Sequence, residues 1–367
     1  MSKRLLIYGA GAIGRGYVPW VFTPYDFSLS YVEADDKLHK LLRSQGRFTS
    51  YCTKGDQYVK CNVTIDRVYA LGEELQDLES FDGIVTAVGP RNVFDLVDHI
   101  RSAICPIVLF ENDSTLVNVL RKLTGNSRIY FGIPDVITSN TAPAELLIKD
   151  PLAIVTEDGE CYIDSGAEKL GGISNYVDET ELNKQWLVKL YMHNTPHCVA
   201  AYLGSLCGKT YLHEGMQNPN VFRIVEGIMM EMCKMLLYRY KLDSEFVDWY
   251  AQKELSRFSN LLLYDPIVRV AREPFRKLAP NNRLIGAAQL ALFCGIVPEN
   301  LIIGILAAFL YDKTYDPDFN MTYLVNALTP ENFLKLIIGL NPHEALYMLI
   351  LDKWESIMND LRSLTLV

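Results

Sequence analysis

The segment Leu5-Leu6-Ile7-Tyr8-Gly9-Ala10-Gly11-Ala12-Ile13-Gly14 constrains this chain most, because a short apolar run with strand character leads into Gly-x-Gly-x-x-Gly where a helix has to begin. Each glycine has a physical task. Gly9 permits the tight turn, Gly11 lets the backbone approach a pyrophosphate, and Gly14 lets the helix pack closely on the strand. The helix N-terminus then offers positive potential to phosphates, and Arg15 would add charge nearby. Taken alone, three glycines in six residues also make ordinary tight turns, so the surrounding pattern has to carry the argument.

That pattern alternates. Apolar runs at Leu5–Tyr8, Leu29–Val32, Gly83–Val88, Ile107–Phe110 and Ile129–Phe131 are separated by helix-length segments after Gly11, Asp36, Asn92 and Ser114. Strand-helix-strand units of this kind feed a parallel sheet, so the first half is expected to be an α/β Rossmann-type dinucleotide-binding domain. The second apolar run ends in Val32-Glu33-Ala34-Asp35, which places a carboxylate where the fold needs an acceptor for ribose hydroxyls. Such an acid disfavours a 2′-phosphate, so NAD is expected rather than NADP. Glu33 and Asp35 compete for the task, with Asp35 preferred. Thr86-Ala87-Val88-Gly89-Pro90 closes a further strand with small residues where a cofactor backbone would pass. Thr86, Val88 and Gly89 join Gly9, Gly11, Ala12, Ile13 and Gly14 as cofactor-binding candidates.

Around Asp158-Gly159, the stretch from Ala153 to Asp164 reads as two β-rich pieces joined by a turn, an antiparallel addition at the sheet edge. From about Glu181 strand signals fade. Asn220–Tyr240, Arg283–Phe293 and Pro330–Ile338 have helical spacing, and a mainly α-helical second domain is expected over 183–367 after a first domain over 1–182.

Composition narrows the function classes. With 35 Lys+Arg against 44 Asp+Glu the net charge is −9, which repels phosphate backbones and anionic lipid, so neither nucleic acid nor a membrane surface is an expected partner. The eight cysteines form no Cys-x-x-Cys pair, which fits a reducing cytoplasm and argues against a structural zinc. No signal-peptide pattern follows Met1, and the run Leu301–Leu310 is about half the length of a membrane span.

Chemistry concentrates in Lys189-Leu190-Tyr191-Met192-His193-Asn194-Thr195-Pro196-His197. Removing hydride from a secondary alcohol requires a base for the hydroxyl proton and a donor for the oxygen. The chain has no His-Glu-x-x-His and only dispersed histidines, so no metal is expected and the base should be Lys, His or Tyr. On an unbroken helix Lys189, Asn194 and His197 share an arc of about 140°. Thr195-Pro196 alternatively reads as an N-cap with Pro at the first helical position, which would start a new helix and put Asn194 at a junction. For Lys189 to act near neutrality its pKa must fall from about 10.4 to roughly 7 or 8, which burial can supply. The ordinary alternatives are a surface lysine, a core histidine and a capping asparagine.

The spacing Lys-x₄-Asn-x₂-His resembles the polyol-specific long-chain dehydrogenases, especially the branch acting on mannitol phosphate. Gly9–Gly16, Thr86–Pro90, Glu111-Asn112, Asp150-Pro151-Leu152, Lys189–Gly204 and Arg257–Ile285 look like that family in matching order, essentially along the whole chain. The resemblance implies a Rossmann domain followed by a helical domain, metal-independent hydride transfer, Lys189 as acid/base, Asn194 as the group polarising the reacting oxygen, and His197 as its support. It adds Glu111 and Asn112 to the cofactor site. Lys253, Arg257, Arg269, Arg272, Arg276, Lys277 and Arg283 form a locally basic region suited to a sugar phosphate, with Arg257, Arg276, Lys277 and Arg283 chosen as substrate-binding candidates. Two departures stand out: Gly286 replaces a usual lysine, and Gly132–Asn140 lacks an expected arginine.

The implied activity is interconversion of a sugar alcohol phosphate and a ketose phosphate with NAD, mannitol 1-phosphate and fructose 6-phosphate first, in a cytoplasmic monomer or homodimer. Rival readings are the same chemistry on an unphosphorylated polyol or hexuronate, and a non-catalytic NAD-sensing protein.

Overall fold

The computed structural model of the 367-residue chain describes residues 2–75, 77–172, 174–312 and 321–364. It divides into two compact units, Met1–Trp186 with Leu262–Tyr264, and Leu187–Leu261 with Asp265–Val367.

The first unit is built on a ten-stranded sheet: β1 (Lys3–Tyr8), β2 (Phe27–Glu33), β3 (Arg47–Lys54), β4 (Gln57–Ala70), β5 (Gly83–Thr86), β6 (Ile107–Leu109), β7 (Ile129–Asp135), β8 (Ile154–Glu157), β9 (Glu160–Asp164) and β10 (Asn175–Val177). Their spatial order is β10-β9-β7-β6-β5-β1-β2-β4-β3-β8. From β7 to β4 every neighbouring pair is parallel. Successive residues serve opposite faces: Leu5, Ile7, Leu29, Tyr31, Val85 and Val108 pack into one core, while Leu6, Tyr8, Val32, Ile84, Ile107 and Leu109 pack into another. A strand buried on both faces reads as a continuous apolar run, which is why β1, β2, β5, β6 and β7 stand out in the sequence. Strand order reverses between β1 and β5, so the crevice beyond their carboxyl ends is the place where this topology binds ligands.

Two expectations about the sheet change. The hairpin Arg47–Ala70 carries β3 and β4 paired antiparallel in register from Lys54↔Gln57 to Arg47↔Thr64; β4 is largely exposed, and neither strand offers a continuous apolar run. The two β pieces expected around Asp158-Gly159 are present, one of them an antiparallel addition to β7, but they do not pair with each other. Gly159 sits so close to β7 that a Cβ there would meet Asp135 O at 2.4 Å, and the Glu157 carboxylate accepts the Ile137 N–H. The turn is thus anchored on the extension of β7 and its flanking strands diverge, β8 joining β3 in parallel and β9 joining β7 antiparallel.

The second unit is helical. Thr195–Leu206 is its central helix, buried over nearly its whole length, and packs against Pro219–Tyr240, Ile267–Ala271 and Glu299–Phe309. A Cβ on Gly304 would fall 2.5 Å from a Val199 methyl, so glycine sets the close approach of two of these helices. Among the described residues, no helix is long and apolar enough to cross a membrane.

Candidate active site

At the end of β1 the chain turns at Gly9, whose φ of +91° suits glycine and whose N–H bonds Val32 O at 2.9 Å. A Cβ on Gly14 would fall 1.9 Å from Gly9 O, so the following helix lies directly against the turn. Gly11 differs, because a Cβ there meets no protein atom within 4 Å. Packing within the protein therefore demands glycine at 9 and 14, whereas at 11 the backbone is open for a group from outside. The turn leads into a π-helical turn, Ala12–Tyr17, continued by the helix Val18–Phe22.

The two competing acids part company here. Asp35 caps the helix Asp36–Gln45, accepting the Leu38 N–H at 2.7 Å. Glu33, the last residue of β2, reaches back over the glycine turn and accepts the Ala10 N–H at 2.8 Å with one oxygen and the Asp35 N–H at 2.8 Å with the other. Arg15 departs from expectation too: it is buried and turned inward, donating to Ala10 O at 2.6 Å and Leu152 O at 2.5 Å. Its positive charge lies behind the turn.

Glu111 shapes the neighbouring loop. Its buried carboxylate accepts from Thr86 Oγ1 at 3.0 Å, Val88 N–H at 3.0 Å and Gly89 N–H at 2.8 Å. Burial raises its pKa and the three donors oppose that rise. Asn112, beside it, is exposed.

In the helical unit, the segment picked out by sequence runs without a break. Lys189–Asn194 forms a π-helical turn that continues directly into Thr195–Leu206, and Thr195 is helical rather than an N-cap. Pro196 explains the widening, since it lacks the N–H an α-helix would use and its ring crowds the preceding turn. Thr195 N–H donates to Leu190 O, and the single Thr195 Oγ1 proton is placed between Arg283 O at 2.8 Å and Leu190 O at 3.1 Å. A π turn carries residues five apart onto nearly one line, so Lys189 and Asn194 come closer in azimuth than an α-helix would allow. Both are buried, and Asn194 Nδ2 has no hydrogen-bond partner among the described residues.

His197 is fixed on two sides. Its Nε2 lies 3.1 Å from Asp265 Oδ2, and its ring stacks on Phe258 with centroids 5.2 Å apart. Burial brings its pKa down to about 4, against the pull of Asp265. Arg269 holds Asp265 below the ordinary carboxylate range through contacts of 2.6 and 2.8 Å. Beside it, His193 Nδ1 meets Glu254 Oε2 at 2.6 Å, and Glu254 is paired with Arg257. Asp265 and Glu254 were missed by sequence reasoning because they lie 68 and 61 residues from their histidines, beyond any local signal. His193 stood inside the chosen segment, one helical turn before His197, and that spacing was the available cue.

The chosen cations divide. Arg257 is committed to Glu254 and Arg276 to Glu273 at 2.9 Å. Lys277 is buried, with its ammonium donating to Val270 O and, at 2.6 Å, to Arg272 O, 5.5 Å from the Tyr202 ring centroid. Burial, then repulsion from Arg283, Arg276 and Arg272, brings its pKa down to about 7. Arg283 is brought down to about 10, again first by burial.

A Rossmann-type sheet with a glycine-rich turn, together with a helical unit holding a buried Lys/Asn/His set, is the arrangement of an NAD-dependent oxidoreductase. Residues 182–331 match the mannitol dehydrogenase C-terminal domain. Over most of its length the chain is similar to mannitol-1-phosphate 5-dehydrogenases. It is 26% identical over 371 residues to mannitol-1-phosphate 5-dehydrogenase of Caldanaerobacter subterraneus subsp. tengcongensis, covering 89% of this chain and 93% of that one. It is 27% identical over 380 residues to the enzyme of that name from Exiguobacterium sibiricum, covering 95% and 96%. The fold is shared with Pseudomonas fluorescens mannitol 2-dehydrogenase, solved in a ternary complex with NAD and D-mannitol, at a TM-score of 0.76 and 15% identity over 100% of this chain and 93% of that one. A substrate-free D-sorbitol dehydrogenase follows at 0.65 and 16% over 100% and 92%.

Proposed function

We propose that this chain catalyses NAD-dependent interconversion of a sugar alcohol phosphate and a ketose phosphate, with mannitol 1-phosphate and fructose 6-phosphate as the first pair. The observation that carries this reading is the buried Asn194 amide, a donor with no hydrogen-bond partner among the described residues, on the same π turn as buried Lys189. An unsatisfied buried donor costs about 1–3 kcal/mol, and a substrate oxygen that accepts from it repays that cost.

Lys189, as a neutral amine, takes the proton of the substrate hydroxyl and returns it in the reverse direction. Asn194 Nδ2 donates to the same oxygen as its charge changes. His197 orients the substrate or supports the lysine. Bound NAD supplies the hydride acceptor; Gly9, Gly11, Ala12, Ile13 and Gly14 would hold its pyrophosphate, and Thr86, Val88 and Gly89 its adjoining backbone, on the loop fixed by Glu111. The ribose role is assigned to Glu33, whose carboxylate lies over the glycine turn at Ala10, whereas Asp35 faces the start of the next helix as its cap.

Phosphate preference rests on the depressed Lys277 and Arg283. Cations buried close enough to repel one another are relieved when a dianion arrives, so this cluster is suited to a phosphoryl group. Arg257 and Arg276, already paired with carboxylates, favour the second reading, an unphosphorylated polyol. None of the eight cysteines forms a disulfide, which supports a cytoplasmic setting; the proposed assembly is a monomer or homodimer.

Oxidation of NADH by fructose 6-phosphate, compared with fructose, tests the substrate. A kcat/KM at least a hundredfold higher for the phosphate supports the first reading, and the reverse order assigns the second. Lys189→Ala should lower kcat by about 10²–10⁴, and a loss below tenfold removes it as the base.

A further inference from the structure

The Asp150-Pro151-Leu152 motif, 135 residues or more from the glycine turn in sequence, has so far had no task. Asp150 is buried and fully engaged: Oδ1 accepts the Leu152 N–H at 2.9 Å and Gln45 Nε2 at 2.7 Å, and Oδ2 accepts the Thr49 N–H at 2.7 Å. Asp150 O also accepts the Ala153 N–H at 2.9 Å. The turn is therefore rigid, and what it presents is the Leu152 carbonyl, which receives Arg15 Nη1 at 2.5 Å.

From the other end of the same guanidinium, Arg15 Nε donates to Ala10 O at 2.6 Å, while the Ala10 N–H is held by Glu33 at 2.8 Å. Both peptide groups flanking Ala10 are fixed, one by a cation and one by a carboxylate. Arg15 makes no direct ion pair among the described residues; its guanidinium bonds two backbone carbonyls, with the Phe48 ring centroid 6.0 Å away, and burial lowers its pKa while the nearby charges of Glu33 and Asp150 oppose that fall. A buried guanidinium held by carbonyls rather than by a direct carboxylate contact is costly, and the two carbonyls that it gathers belong to the glycine turn and to the Asp150-Pro151-Leu152 motif.

We propose that Arg15 is a positioning residue that locks the Ala10 carbonyl inward, so that the N–H groups following Ala10 in the glycine turn are left to face the cofactor, and that Asp150 acts on cofactor affinity through Leu152 and Arg15. This rests on the NAD reading above. Arginine is required because its planar fork serves two carbonyls at once, which a lysine ammonium on a flexible stem does less well.

The test is the NADH dissociation constant from nicotinamide fluorescence, with steady-state kinetics and melting temperature, for the parent, Arg15→Met, Arg15→Lys, Asp150→Ala and the Arg15→Met/Asp150→Ala double variant. Expected are a rise of tenfold or more in NADH Kd and in KM for NAD with Arg15→Met at nearly unchanged kcat, partial recovery with Arg15→Lys, and a double variant no weaker than Arg15→Met alone. A parent that binds no NADH overturns the NAD reading instead. If the parent binds and Arg15→Met, or Arg15→Lys should the former fail to fold, keeps parental affinity while losing thermal stability, the pair is merely structural and the proposal is wrong. Effects of Arg15 and Asp150 that multiply overturn the link between them.

Discussion

His197 donates its Nε2 proton to Asp265 Oδ2 across 3.1 Å, because a carboxylate held ionised by Arg269 only accepts. Nδ1 of a neutral ring is then left as an acceptor, and the tautomer of a residue assigned beside the base is decided by an aspartate 68 residues further along.

Asp265→Asn should therefore act on turnover more than on folding. The amide offers a donor as well as an acceptor, the ring loses its tautomer preference, and kcat should fall by about tenfold to a hundredfold. Equal kcat in parent and variant, measured at saturating substrates, would show that the tautomer is irrelevant.

Acid should weaken the fold through the same ring. In the unfolded chain His197 takes up a proton near pH 6.5, whereas in the folded chain it does so only near about 4. Between those values the unfolded state binds more protons, so stability falls as pH drops through that window and levels below it, by up to roughly 3 kcal/mol. Urea midpoints of parent and His197→Asn between pH 4 and 7 check this; the variant should have the flatter profile.

Lys277 predicts a different pH effect, on substrate rather than fold. Its ammonium, brought down to about 7, is lost as pH rises beyond that value, and attraction for a dianion goes with it. KM for a phosphorylated substrate should climb between pH 7 and 9 while KM for a neutral polyol stays level. Lys277→Met should abolish the difference between the two profiles. In the same range the unfolded chain still holds the lysine proton that the folded chain has given up, so Lys277 makes the fold more stable as pH rises from 7 toward 10.5.

Glu33 and Asp35 should separate cleanly. Glu33→Ala removes the acid beside the turn and is expected to narrow the preference for NAD over NADP. Asp35→Ala removes a helix cap and should cost about 0.5–2 kcal/mol of stability with little change in that preference. Dissociation constants for the two nucleotides, read alongside melting curves, distinguish them; the opposite pattern returns the ribose role to Asp35.

How far the sequence could be read follows from what each element buries. β1, β2, β5, β6 and β7 announce themselves because both faces are covered, and the glycine turn because backbone contact at Gly9 and Gly14 tolerates no side chain. β4 does not, since most of its residues meet water. Glu33 and Asp35 are hard to tell apart in sequence because residues two apart on an extended chain point the same way; the structure separates their surroundings, since the next helix begins at Asp36 and is capped by the residue before it. The π turn was hidden for another reason. Thr195-Pro196 is the same dipeptide whether a helix begins there or widens to pass it, and only packing in the helical unit selects the second outcome.

The divergence of β8 and β9 bears on how a ribosome delivers this chain. Ser50 on β3 pairs with Ile154, so for about a hundred residues of synthesis one border of the nascent sheet has nothing to bond to. Such an open border invites intermolecular pairing, and β3 is a place where chaperone binding or aggregation during expression should concentrate.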